Sequence, residues 1–133
     1  MPIPSTWTTH LRSLLRIIVA LGFIEHGTSK LLGFPAFPMP GPLPTLLIVA
    51  AWLEVVGGTL ILLGLFTRPV AFILSGQMAV AYFMFHAPQG FFPANNGGEA
   101  AMLYAFIFLY FAAAGPGAWS LDALRGKAPA TTD

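Results

Sequence analysis

The stretch from Leu43 to Phe66, LPTLLIVAAWLEVVGGTLILLGLF, carries a single charge, Glu54. It is long enough to cross a bilayer, for which a helix needs about 20 mostly apolar residues and about 17 at the least. With no water to satisfy its backbone, such a segment must pair every N–H and C=O internally, and the α-helix does this. Three more stretches qualify. The first runs from about Leu11 to Leu32 and includes Glu25 and His26; the third, from about Pro69 to Ala87, reads PVAFILSGQMAVAYFMFHA; the fourth, from about Gly97 to Ala114, reads GGEAAMLYAFIFLYFAAA. The expected fold class is therefore all-α, an integral membrane four-helix antiparallel bundle. Composition agrees: 56% of residues are hydrophobic and 8% charged, where soluble domains carry about 25% charged residues.

The connectors hold the breakers. GFPAFPMPGPLP has prolines at 35, 38, 40, 42 and 44, TRP alone separates the second and third spans, and PQGFFPANNGG joins the third and fourth. Pro69 suits a first helical position, and GPG at 115–117 stops the last span. Residues 1–122 are read as one membrane domain and 123–133 as a flexible tail. The basic region of Arg12 and Arg16 is followed by no small-residue cleavage site, so the first span is expected to be retained rather than removed as a signal peptide. Arg12, Arg16, Arg68, Arg125 and Lys127 fall on one side of this topology and Lys30 alone on the other. By the positive-inside rule both termini are cytoplasmic, with Trp7 and Trp119 as anchors at the inner interface.

The net charge of +1 and scattered basic residues give no reason to expect a nucleic-acid partner, and the absence of cysteine excludes thiolate and disulfide chemistry in this chain. What remains notable is where the ionisable groups fall. At about 1.5 Å per residue, His26 lies roughly 10 Å, and Glu54 about 16 Å, below the outer ends of their spans. His86 and Glu99 bracket the outer ends of the third and fourth. Each span thus offers one ionisable group to the outer half of the bundle. A carboxylate at mid-bilayer costs about 2.5–3.5 kcal/mol and almost always faces the bundle interior. Glu54 is either part of a site or a protonated side chain bonding a neighbouring helix. Ala50, Gly57, Gly58 and Ile61 lie at three- or four-residue steps from it and form a small-residue stripe.

The other groups have structural alternatives. His26, one turn before Lys30, is expected to be neutral, and Lys30 is expected to snorkel to the outer interface. Glu25 is expected to face polar loop backbone. Asn96 and Glu99 match a capping box at the start of the fourth helix. Arg16 is expected to snorkel and Arg68 to act as an orientation anchor. Tyr82 shares a face with His86, and Gln77 is a further polar side chain in that span.

No Glu-x-x-His or His-x-x-x-His pair shares a helix, and no nucleophile elbow or phosphate loop is present. No metal set is expected. A proton-exchanging polar pocket with aromatic walls at membrane depth suits a quinone headgroup, and also a proton or small-solute path. Glu54, His26 and His86 are the candidates for proton exchange; His26, Lys30, Glu54, Tyr82, His86 and Glu99 are the candidates for contact with a cofactor.

EHGTSKLLGF, then EVVGGTLILLGLFTRP, then MAVAYFMFHAPQGFFPANNGGEAAMLY, then GPGAWSLD resemble, in order and spacing, the DoxX family of small four-helix membrane proteins, from about Leu11 to Asp122. Carried over by position, the motif residues are His26, Gly27, Lys30, Glu54, Gly58, Gly64, Thr67, Arg68, His86, Gly98, Glu99, Gly115, Gly117, Ser120 and Asp122. The family takes its name from a thiosulfate:quinone oxidoreductase system, and members are linked to membrane redox chemistry and oxidative stress. The resemblance implies a multi-pass protein of the bacterial inner membrane and a subunit of a quinone-linked oxidoreductase, with quinone as the cofactor. Its partners would be the lipid bilayer and either a second copy or a redox protein. The alternatives are a non-catalytic anchor that recruits an enzyme and a small transporter.

Overall fold

The computed structural model describes residues 2–126, and among these every regular element is helical. The long helices are α1 (Thr8–Leu32), α2 (Thr45–Leu63), α3 (Thr67–Ala81) and α5 (Glu99–Ala114), with two short ones, α4 (Pro93–Asn96) and α6 (Leu121–Arg125). After Ala81 the third span continues as a π turn, Tyr82–His86, and a 3-10 turn, Ala87–Gln89. The helical segments through Leu32, Leu63 and Gln89 are long and apolar enough to cross a membrane, and Glu99–Ala114 is a shorter apolar helix. The tail expected from residue 123 falls mostly on 127–133, outside the described residues, as does Lys127.

The bundle is built from two pairs. α1 packs along α2, α3 packs along α5, and α2 meets α3 more sparsely. Glycines set the close approaches. A Cβ on Gly27 would lie 2.6 Å from Val55 Cγ2 and 2.8 Å from the Ala51 carbonyl, and one on Gly58 would lie 2.7 Å from Ile24. These two glycines bring α1 and α2 together. Gly57, one position along, meets Leu74 of α3 instead, so the small-residue stripe beside Glu54 receives a helix on each side. Phe23, Ile61, Leu74, Met78, Phe108 and Phe111 fill the core below it. The outward faces are apolar and exposed, with Ile18, Val49, Trp52, Val56, Phe72 and Phe106 among them, as a hydrocarbon solvent requires.

The end that carries the termini is closed by a polar clamp. The Arg16 side chain, expected to snorkel, is 1% exposed. Its Nη1 donates to the carbonyls of Ile61 (3.1 Å) and Leu62 (3.2 Å), and its Nη2 to that of Trp119. The carbonyls of Ile61 and Leu62 lie in the last turn of α2, where the usual i+4 donors are missing and Ile61 is reached only by the Gly64 N–H of the cap (3.0 Å), so a buried guanidinium finds partners that a single-helix argument does not foresee. Arg12 Nη1 donates to the Ala114 carbonyl at the end of α5 (2.6 Å).

Asp122 closes the α2–α3 corner. Its carboxylate accepts the N–H groups of Phe66 (2.9 Å) and Thr67 (2.8 Å). α3 therefore begins at Thr67, and Pro69 is its third residue rather than its first. Burial raises the Asp122 carboxyl, but the two backbone donors and Arg125 outweigh it and hold the group below its ordinary value. Trp7 and Trp119 are exposed at this same end, on either side of His10.

Candidate functional site

Opposite the clamp, the C-terminal part of α1, the N-terminal halves of α2 and α5 and the end of the third span diverge around a cavity of about 830 Å³. Its walls are almost wholly apolar. Leu46, Val49 and Leu53 of α2 and Ile73, Val80 and Met84 of the third span line it, and all six are exposed on the outside of the bundle. The cavity thus opens sideways, toward lipid, along the loosely packed α2–α3 seam. Phe37, Pro38 and Met39 of the Pro-rich loop contribute to the lining from the loop end.

The polar groups gather on one side. Lys30 Nζ lies 2.6 Å from Glu54 Oε2 and 2.8 Å from Oε1. Glu54 is 3% exposed and its partner ammonium is also largely buried. Lys30 therefore does not snorkel to the interface. The close approach of α1 to α2 at Gly27 places it across from Glu54, where an ion pair is better stabilised than either charge alone. Glu54 thus bonds both neighbouring helices, α1 through Lys30 and α3 through Gln77. Gln77 Nε2 reaches the Ala50 carbonyl (3.3 Å) and Glu54 Oε1 (3.5 Å), and its Oε1 is buried without a donor among the described residues.

His26 stands edge-on to Tyr104, with ring centroids 5.8 Å apart, and both line the cavity. His86 does so from the π turn, in which the Ala87 N–H donates to the Tyr82 carbonyl five residues back. Such turns often occur at functional sites. His86 Nδ1 is 3.2 Å from the Asn96 carbonyl. A carbonyl only accepts, so Nδ1 donates there, which leaves Nε2 free to face the cavity.

His26, Lys30, Glu54 and His86 are thus brought to one cavity, whereas Tyr82 and Glu99 are not. The Tyr82 hydroxyl accepts from Asn96 Nδ2 (3.2 Å) beside the cavity. Glu99 is exposed as the first residue of α5, where a carboxylate suits the positive end of the helix dipole. The expected capping box does not form. Gly97 adopts φ +72°, ending α4 at Asn96, and α5 has Gly98 as its N-cap. Asn96 Oδ1 instead accepts the Gly98 N–H (2.7 Å), while Nδ2 also donates to the Gly90 carbonyl (2.9 Å). This buried asparagine ties the 87–98 connection to His86. Sequence reasoning missed Asn96 in this role and missed Tyr104, whose signal is a lone phenol in the apolar run AAMLYAFIF.

A family model described as DoxX matches residues 11–87. An uncharacterised protein of Haemophilus influenzae is 53% identical, over 81% of this chain and 85% of its own length. The inner membrane protein YqjF of Escherichia coli is 32% identical, over 84% of this chain and 89% of its own. The uncharacterised membrane protein Rv3486 of Mycobacterium tuberculosis is 33% identical, over 85% and 80%. No solved structure matches. With its apolar helices and these relatives the chain is a multi-pass bacterial inner membrane protein, and it belongs to the DoxX family.

Proposed function

We propose that this protein is a redox-associated subunit of the inner membrane that holds a quinone-type amphipathic ligand between its two helix pairs. The observation that supports this reading is the cavity of about 830 Å³, open to lipid along α2 and α3 and ending on Lys30, Glu54, Gln77, His26 and His86. Small-molecule sites of about 300–1,000 Å³ combine apolar walls with a few polar groups in this way. An isoprenoid tail lies along the apolar seam, while the headgroup oxygens meet donors at Lys30 and Gln77 and the Nε2 of His86. Glu54 and the histidines exchange protons with it.

Extraction and mass spectrometry of the lipids bound to the purified protein test the proposal. Stoichiometric quinone is the expected result; a tightly co-purifying enzyme with no quinone would favour a recruiting anchor, and neither would leave a transport role. Mass measurement of the same sample, in which a dimer or partner complex is expected, tests assembly.

The proposal includes an orientation. Arg12, Arg16, Arg68 and Arg125 lie at the end that carries the termini and Lys30 at the other, so the termini are cytoplasmic and the cavity lies in the periplasmic half. A reporter active only in the periplasm should be silent at the C-terminus and active when inserted in the 88–96 connection. The opposite pattern would reverse the assignment.

A further inference from the structure

At the end away from the cavity, a second cleft of about 350 Å³ is lined by Thr9 and Arg12 of α1, Arg68 of α3, and the Gly115–Pro116–Gly117 turn. Two arginines contribute to its lining. Arg12 is anchored through Nη1 to the Ala114 carbonyl, and its buried Nε has no acceptor among the described residues. Arg68 lies over the next residue: a Cβ on Gly115 would be 3.5 Å from Arg68 Nε and 3.7 Å from Nη2. Arg68 thus lies in van der Waals contact with position 115. Gly115 itself adopts φ +79°, which favours glycine in this turn.

Among the described residues one carboxylate lines the cleft, and it is committed elsewhere. Asp122 lines the cleft, but its oxygens accept the Phe66 and Thr67 N–H groups and lie 4.0 Å from Arg125. Among the described residues no carboxylate lies within ion-pair reach of Arg68. Like charges held against adjacent residues at a membrane boundary repel unless an anion lies between them, and an anion with several oxygens suits planar guanidinium donors.

We infer that this cleft is a phosphate-binding site at the terminal end of the bundle, formed by Arg12 and Arg68 over the Gly115–Gly117 turn. The same chemistry would take the headgroup phosphate of an anionic phospholipid or free inorganic phosphate. It is independent of the quinone reading, because no residue is shared between the two cavities.

Native mass spectrometry of the full chain, released from nanodiscs of phosphatidylglycerol mixed with phosphatidylcholine, tests the inference. The wild type is expected to retain phosphatidylglycerol selectively, and Arg68→Gln to lower its occupancy roughly fivefold, the effect of one basic residue at an anionic surface. Arg68 donates no recorded hydrogen bond within the described chain, so this variant should fold, which its melting temperature checks. Arg125→Gln, a cation at the same end but outside the cleft lining, should lower retention less than Arg68→Gln does. An equal loss from both variants would mean diffuse surface charge, and would overturn the site. Excess inorganic phosphate separates the sources: displacement of the lipid, or a thermal stabilisation of wild type that Arg68→Gln lacks, identifies free phosphate as a ligand. Lipid retained against that excess identifies the headgroup. Absence of both selective retention and a phosphate-dependent shift would refute the inference.

Discussion

Lys30→Met should lower the stability of the bundle by about 3 kcal/mol, because removing one partner of a buried pair leaves an uncompensated charge. Lys30 Nζ contacts both oxygens of Glu54 at 2.6 and 2.8 Å. Without it, Gln77 Nε2 at 3.5 Å is the remaining side-chain donor to that carboxylate. The double variant Lys30→Met/Glu54→Met should return stability close to wild type, since apolar replacement of both members of a buried pair is often neutral or stabilising. Retention of the proposed ligand should be lost in both. The two measurements separate the pair's contributions: stability follows whether the charges are matched, and binding follows whether they are present. A double variant as unstable as the single one would show that the two side chains are not coupled. A double variant that still carries its ligand would remove the pair from the site.

Glu54→Gln and His26→Ala probe the same cavity more gently. Glutamine keeps the shape and an acceptor for Lys30 but cannot exchange a proton. If both residues serve one ligand, ligand content should fall in each variant, and the double variant should be no worse than the worse single one, as residues acting as a unit are non-additive. Small, additive losses would mean two independent packing contributions.

The spans were legible because a bilayer imposes a length and an apolar composition that GFPAFPMPGPLP and PQGFFPANNGG interrupt plainly. The depths of His26, Glu54 and His86 were legible for the same reason, as counting residues along a helix measures height. Height says nothing of azimuth between helices. Lys30 illustrates this: one turn from the end of α1, it reads as a snorkelling cation, and nothing local announces a partner 24 positions later. Asn96 and Glu99 fit a capping pattern, yet the pattern contains no term for Gly97 at positive φ, which ends one helix and lets the next start after Gly98. The π turn at Tyr82–His86 has no composition signal in YFMFH. The motif residues Gly64, Ser120 and Asp122 came from family resemblance alone; the structure supplies their reason, a clamp on the helix ends.

That clamp carries the other large effect. Arg16→Leu should destabilise the protein by about 3–5 kcal/mol, the range for breaking a buried charged network. The carbonyls of Ile61, Leu62 and Trp119 all accept from one guanidinium; Ile61 keeps the Gly64 N–H without it, but each buried acceptor left without a donor costs about 1–3 kcal/mol. Against a total stability of about 5–15 kcal/mol, the loss should show as a large fall in melting temperature and a poor yield of folded protein in detergent. Arg16→Lys should fall between the two. It keeps the charge, but a single ammonium lacks the fork that reaches the end of α2 and the Trp119 carbonyl together. An Arg16→Leu protein as stable as wild type would mean that the side chain leaves the bundle for the headgroups. Because the clamp lies at the opposite end from Lys30 and Glu54, folded Arg16→Lys should retain the proposed quinone-type ligand. Loss of ligand from that folded variant would instead show that the helix ends set the width of the α2–α3 seam through which the cavity opens.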